Sequence, residues 1–281
     1  MNATPTDRRI PLAGVIGHPV AHSRSPRLHR HWLRRYGLPG HYVPLEVASE
    51  DLEEVLRAMP RMGFVGANVT IPHKETALRL CDLVTDRAAL VGAVNTLIFR
   101  DDGKIHGDNT DGYGFLANIR QAAPGWQPKA GPAAVFGAGG ASRAVLVALL
   151  EAGVPEIRLA NRSRPRADAL RSEFGARITA IDWNKAANML EGAATVVNTT
   201  SLGMQGHTEF RVPLDRLEPG ALVSDLVYQP LETEFLAQAR ARGCLAVDGL
   251  GMLLHQAVPG FERWFGRRPE VDDEVREAVL L

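Results

Sequence analysis

The sequence predicts an α/β fold. An N-terminal α/β domain leads into a C-terminal doubly wound parallel sheet, and three observations carry that expectation. Residues 132–152 read as an apolar strand, a glycine turn and an apolar helix. Five further short apolar runs follow, at 156–160, 178–181, 195–198, 222–226 and 245–247. Helical patterns separate most of them, as parallel crossovers require. Before them, 122–131 carries Pro124, Gly125, Pro128 and Gly131, the one linker-like stretch in 281 residues. A chain of that length accommodates two ordinary domains.

From the start, 12–17 is a short apolar strand ending in Gly17. Ser25 then Pro26 reads as a helix cap followed by a first-turn proline, with the helix running to Tyr36. Ser23, just before it, adds a second hydroxyl at the helix mouth, where an anion or polyol could be held. Residues 42–47 read as a strand whose Pro44 favours an edge, and 49–59 as a helix capped by Ser49. Phe64 and Val65 begin a third strand, which ends at Asn68 and Thr70. Pro72 suits a first helical position, which puts Lys74 in the first helical turn. The helix field there favours a negative charge, so a cation sits against it. Residues 93–99 and 104–107 flank Asp101-Asp102-Gly103 as a hairpin, and Asp111 stands where the next helix begins.

The glycine turn, Gly137-Ala138-Gly139-Gly140-Ala141, has the strand–turn–helix setting of a dinucleotide fingerprint. Gly137 permits the tight turn and Gly139 a close approach to pyrophosphate; Ser142 stands where a third glycine is usual. About 20 residues past such a turn an acidic residue reads the ribose of NAD. Here that place holds Asn161, Arg162 and Ser163, with Arg164 and Arg166 behind. A guanidinium fork suits a 2′-phosphate, so NADP is favoured. Gln256 lies among apolar residues on the last helix, about 251–265.

Composition narrows the function classes. Lys+Arg and Asp+Glu are both 32, so there is no basic surplus for a nucleic-acid partner. The most apolar run, 144–150, is too short to cross a bilayer. Met1 to Arg9 is polar and lacks an apolar signal region, and Cys81 and Cys244 form no CxxC pair. A reducing, cytoplasmic setting is expected. No His/Cys cluster has metal-ligand spacing, so no metal is expected.

These motifs come in the order of a known family. His22-Ser23-x-Ser25-Pro26, Asn68-Val69-Thr70-Ile71-Pro72-x-Lys74, Asn109-Thr110-Asp111-Gly112-x-Gly114 and Gly137-x-Gly139-Gly140 are followed by Asn161-Arg162-Ser163. Then come Asn198-Thr199-Thr200-x-x-Gly203-Met204, Asp225-x-x-Tyr228-x-Pro230 and Gly251-Met252-Leu253-x-x-Gln256. Over nearly its whole length the chain resembles the shikimate dehydrogenase family. Arg30 departs from an asparagine common in that family, at a position on which no catalytic role rests.

The resemblance implies NADPH-dependent reduction of 3-dehydroshikimate to shikimate. It implies a substrate-binding catalytic domain at 1–111, an NADP-binding Rossmann domain at 112–249, and a helical segment at 250–281 that packs on the first domain. Lys74 and Asp111 would be the catalytic pair. Ser23 and Ser25 would hold the substrate carboxylate, and Asn68, Thr70, Asn95, Tyr228 and Gln256 would complete the substrate site. Gly137 to Ala141, Asn161, Arg162, Ser163, Thr199, Gly249 and Met252 would hold NADP. The expected partner is the small-molecule substrate, and the expected state is monomer or homodimer. The alternatives are a quinate/shikimate dehydrogenase using NAD and a non-catalytic NADP-binding regulator. Against the first stand the two serines and the arginine cluster; against the second, the presence of both Lys74 and Asp111.

Overall fold

The computed structural model describes residues 10–281; the polar stretch Met1 to Arg9, read above as lacking a signal region, lies outside them. The chain divides into two compact units. One runs up to Thr110 and includes Gln256–Leu281; the other is Asp111–His255.

The first unit contains β1 (Leu12–Gly17), α1 (Ser25–Arg35), β2 (His41–Glu46), α2 (Leu52–Ala58), β3 (Phe64–Val69) and α3 (Lys74–Leu80). It continues with β4 (Leu83–Val84), α4 (Asp86–Val91), β5 (Thr96–Phe99) and β6 (Ile105–Asp108). Six strands form one mixed sheet in the order β2-β1-β3-β5-β6-β4. β1 pairs in parallel with both β2 and β3, while β5 runs antiparallel to β3 and β6. The expected hairpin is present, with Gly103 in the left-handed region at φ 81°. Pro44 lies on the edge strand, where its missing N–H removes no ladder bond. Alternation along β1 sends Ala13 and Val15 to the face carrying Tyr42 and Trp264, and Ile16 to the face carrying Leu56 and Leu97.

Three local expectations are corrected. Ser25 does not cap α1: the helix begins at Ser25, and the Ser23 hydroxyl accepts the Ser25 N–H at 3.3 Å. Ser49 does not cap α2, which starts three residues later at Leu52 with no side-chain cap bond. Pro72 lies in the turn before α3, after a cis peptide bond, and the helix starts at Lys74 itself. Nothing in the sequence reading anticipates β4 and α4; Thr85 caps α4 by accepting the Ala88 N–H at 3.2 Å.

The second unit begins with α5 (Asp111–Ala122), β7 (Ala133–Phe136), α6 (Gly140–Ala152), β8 (Ile157–Ala160), α7 (Arg164–Phe174) and β9 (Ile178–Ile181). β10 (Thr195–Asn198), β11 (Leu222–Asp225), α8 (Glu234–Ala241) and β12 (Leu245–Val247) complete its sheet and helices. A 3₁₀ segment, Trp183–Leu190, takes the place of a helix between β9 and β10. All six strands are parallel in the order β12-β11-β10-β7-β8-β9. This is the doubly wound arrangement, with its strand order reversing beside β7. Both faces are covered, so β7 is apolar throughout: Ala133 and Val135 join one core, Ala134 and Phe136 the other. The chain leaves this unit within α9 (Leu250–Phe265) and ends in α10 (Asp273–Leu280).

Candidate functional site

In the first unit, the loop after β1, the end of β3 and the approach to β5 bring polar side chains into a buried group. Asn68 is 5 % exposed and Asn95 2 %. The Asn68 side-chain amide donates to the Asn95 carbonyl at 3.2 Å and the Thr96 hydroxyl at 3.3 Å. Its oxygen accepts from the Tyr42 hydroxyl at 2.7 Å. Asn95 donates to the Thr110 hydroxyl at 3.0 Å and to the Gln256 side-chain oxygen at 3.3 Å, and accepts the Thr110 N–H at 2.9 Å. Thr110 also donates its hydroxyl to the Gln256 carbonyl at 2.8 Å. Gln256, expected from the resemblance to join the substrate site, belongs to this network. The residue before Asp111 is fixed at both its backbone and its side chain.

Ser25 is buried, and its N–H is held by the Ser23 hydroxyl. Ser23, Thr70 and Lys74 are half-buried at the same end of the sheet: the Thr70 N–H bonds the Ile16 carbonyl at 2.9 Å, and the Lys74 carbonyl accepts the Val94 N–H at 3.0 Å. Asp108, just before the Asn109-Thr110-Asp111 run, is bonded by Thr85 at 2.7 Å and Arg87 at 2.8 Å. Burial pushes its carboxyl up, but those hydrogen bonds and the Arg87 charge outweigh it and hold the group below the usual carboxylate range.

Tyr42 is the residue that sequence reasoning missed. It is 2 % exposed, and burial pushes its phenol well above 10, against a smaller opposing effect of the Ser25 hydrogen bond. Its ring lies flat on the His29 imidazole, with centroids 3.8 Å apart and an interplanar angle of 2°. His29 is fully buried, and burial lowers its pKa to about 3, so the stack is neutral. A tyrosine opening an otherwise exposed edge strand was the available signal, since a buried phenol needs a hydrogen-bond partner.

In the second unit the expected residues cluster at the carboxyl ends of β7, β8 and β10. Gly137 has φ 111°, and a Cβ there would stand 2.5 Å from the Thr199 hydroxyl. Thr199 thus packs beneath the turn, with its N–H and hydroxyl both on the Phe136 carbonyl at 2.9 and 2.7 Å. Ser142 is fully buried and donates to the Gly137 carbonyl at 2.6 Å, which accounts for a serine at the third position. A Cβ at Gly139 or Gly140 would meet no protein atom within 4 Å. The space beside the α6 N-terminus is open there, as an approaching pyrophosphate requires. Ala138 and Ala141 are half-buried on either side of it.

Beyond β8, the Asn161 amide donates to the Ser163 carbonyl at 2.9 Å and closes the turn. The arginines then part company. Arg164 is held by Asp168 at 3.0 Å and Asp182 at 2.7 Å. Among the described residues, Arg162 and Arg166 make no ion pair, and both are exposed. Asn161 and Arg162 line a cleft of about 610 Å³ with Trp183, Thr200 and Ser201. A 2′-phosphate reader must be uncommitted, and Arg162 meets that condition while Arg164 does not.

Two residues expected at the cofactor are placed in the fabric of this unit. A Cβ on Gly249 would lie 2.2 Å from the Leu226 carbonyl, and Met252 is 9 % exposed within the hydrophobic core. Tyr228 is half-buried, three residues beyond the end of β11. Asp111 is the first residue of α5 and 5 % exposed. Among the described residues no helix is long and apolar enough to cross a membrane, and no group of three or more His, Cys, Asp or Glu is placed to hold a metal ion.

Comparison with known proteins agrees with this geometry. The shikimate dehydrogenase substrate binding domain matches residues 15–97, the shikimate / quinate 5-dehydrogenase model residues 125–205, and the shikimate 5′-dehydrogenase C-terminal domain residues 249–280. A shikimate dehydrogenase (NADP(+)) of Paracoccus denitrificans is 70% identical over 280 residues, covering 100% of this chain and 99% of that one. The chain belongs to the shikimate dehydrogenase family. Among solved structures, shikimate 5-dehydrogenase of Thermus thermophilus in complex with NADP(H) and shikimate has a TM-score of 0.85 at 39% identity, covering 96% of this chain and 98% of that one. Quinate dehydrogenase of Corynebacterium glutamicum in complex with NAD has a TM-score of 0.89 at 33% identity, with the same coverage of 96% and 98%. The fold is thus common to family members bound to either cofactor.

Proposed function

We propose that this chain is an NADP-dependent shikimate dehydrogenase, reversibly reducing 3-dehydroshikimate to shikimate in chorismate biosynthesis. The observation that carries the reading is the full-length, 70% identical relative of that name. The geometry supports it with a buried polyol-type network in one unit and an open glycine turn with an uncommitted arginine in the other. When bound, NADPH supplies the hydride for the substrate ketone.

The protein binds, orients and moves a proton. Ser23 and Ser25 take the substrate carboxylate; Asn68, Thr70, Asn95, Tyr228 and Gln256 bind and orient its ring. Lys74 stabilises charge developing on the ketone oxygen and delivers a proton to it. Asp111 holds Lys74 and a ring hydroxyl. Gly137, Ala138, Gly139, Gly140 and Ala141 take the pyrophosphate at the α6 N-terminus. Asn161, Arg162 and Ser163 take the adenosine side, with Arg162 on the 2′-phosphate; Thr199, Gly249 and Met252 shape the cofactor site from beneath. We place the enzyme in the cytoplasm, as a monomer or homodimer.

The specific observation favouring a second reading is the likeness to an NAD-bound quinate dehydrogenase. Four rates separate the two readings: shikimate or quinate, each with NADP⁺ or NAD⁺. Shikimate with NADP⁺ should be fastest. A faster rate with quinate and NAD⁺ establishes the second reading, and no activity with any pair returns the chain to a binding role.

A further inference from the structure

The buried network has a direction. The Asn95 carbonyl can only accept, so the Asn68 group facing it must be the NH₂. The Asn68 oxygen therefore faces Tyr42, and the Tyr42 hydroxyl must be the donor at 2.7 Å. Both amide protons of Asn68 are then committed, one to the Asn95 carbonyl and one to the Thr96 hydroxyl. What remains on Asn68 is one lone pair of its oxygen.

We infer that Tyr42 is a positioning residue for substrate selection: it locks Asn68 so that the side chain offers a ligand an acceptor and no donor. The group read at Asn68 must then bring its own proton, so a ring hydroxyl is accepted there and a carbonyl or ether is not. The phenol is itself held in place by its stack on His29 and by Trp264, whose ring centroid lies 6.1 Å away. This inference rests on the proposed shikimate dehydrogenase activity.

The test is a cycle of Tyr42→Phe and Asn68→Ala, with kcat, both KM values and Tm measured for each protein. Tyr42→Phe keeps the ring and its stack but removes the proton that fixes Asn68. Leaving that buried acceptor unpaired should raise the shikimate KM about 5- to 100-fold. The NADP⁺ KM should not move. In the Asn68→Ala background the same change should alter the shikimate KM less than about twofold, because nothing is left to position. Equal effects of Tyr42→Phe in both backgrounds, or none in wild type, overturn the inference.

A wild-type readout guards against a variant that does not fold. In ¹⁵N–¹H spectra both Asn68 side-chain amide protons should exchange slowly with solvent. Exchange as fast as that of exposed amides overturns the lock. Absence of shikimate oxidation by the wild-type protein would instead sink the functional reading and leave the amide-exchange result to judge the lock.

Discussion

In the second unit, the residues proposed to hold the cofactor follow one another along the chain or sit at the ends of adjacent strands. Gly137 to Ala141 act largely through backbone: one glycine makes the turn, and two leave space beside it. In the first unit, Tyr42, Asn68, Asn95, Thr110 and Gln256 come from separate elements and meet only after folding, through side chains. An anion with many equivalent acceptor oxygens, such as pyrophosphate, can be held by N–H groups that any sequence provides. A ring with several hydroxyls needs donors and acceptors at fixed points, and these require a satisfied side-chain network.

The sharpest way to test that division is to remove one side chain that does chemistry. Lys74→Ala should lower kcat by about 100-fold or more, the scale of a lost proton donor. Substrate KM and Tm should change far less. Near-normal kcat in the variant would show that the first unit only binds, and that its proton comes from elsewhere.

On the proposed reading, cofactor choice is where the second unit would depart from backbone recognition. A hydrogen bond to a charged group is worth about 1.5–3 kcal/mol, so Arg162 could give roughly 10- to 150-fold preference for NADP⁺. Arg162→Asp should abolish that preference by repelling the 2′-phosphate, as read from kcat/KM with both cofactors. Arg164→Ala should leave the ratio nearly unchanged, because Asp168 and Asp182 already hold that guanidinium. An unmoved ratio for Arg162→Asp would place the phosphate reader elsewhere.

The glycine turn divides into structure and binding. Gly137→Ala forces a Cβ onto the Thr199 hydroxyl at 2.5 Å and a left-handed backbone, and should cost about 1–3 kcal/mol of stability. Gly139 has φ −100°, ordinary for any residue, and open space beside it. Gly139→Ala should leave Tm within about 1 °C and raise the NADP⁺ KM, because only a ligand comes close there. The contrast fails if both variants lose stability equally.

The same division explains what could be read in advance. The strands at 178–181, 195–198 and 245–247 match their predicted limits, since short runs of mainly β-branched and aliphatic residues are locally marked. The glycine turn is equally local. Ser25 and Ser49 carry cap-forming side chains, but neither stands at the cap: Ser25 is buried as the first residue of α1, and α2 begins beyond Ser49. Proline suits a first helical position, yet Pro72 lies in the turn before Lys74. α4 is six residues long, too short for its period to stand out. Tyr42 carries no motif, and its role becomes visible only when β2 is laid beside β1 and β3.

Acid should separate the units by the smallest of these effects, through one buried group in each. Burial keeps His29 neutral down to about pH 3 in the folded chain, whereas it protonates near pH 6.5 when unfolded. Between those values the unfolded chain binds the extra proton, so falling pH destabilises the first unit, by about 1.4 kcal/mol per pH unit at most. Asp225 is the reverse case. Burial pushes its carboxyl up to about 6, against hydrogen bonds from Thr233, Val227 and Asn198. Below pH 6 the folded chain takes up a proton that the unfolded chain does not bind until about pH 4, so falling pH stabilises the second unit. From pH 7 to 5 the two contributions oppose each other, and a wild-type Tm should move little on their account. His29→Leu, close in volume and with no ring nitrogen to protonate, should make Tm rise relative to wild type as pH falls. Asp225→Asn keeps acceptors for Asn198 and Val227 and offers an NH₂ to the Thr233 hydroxyl, and should make Tm fall more steeply than wild type. Calorimetry of the three proteins at pH 7, 6 and 5 measures both slopes. Parallel curves for all three would mean that neither buried group titrates within the folded chain as its burial requires.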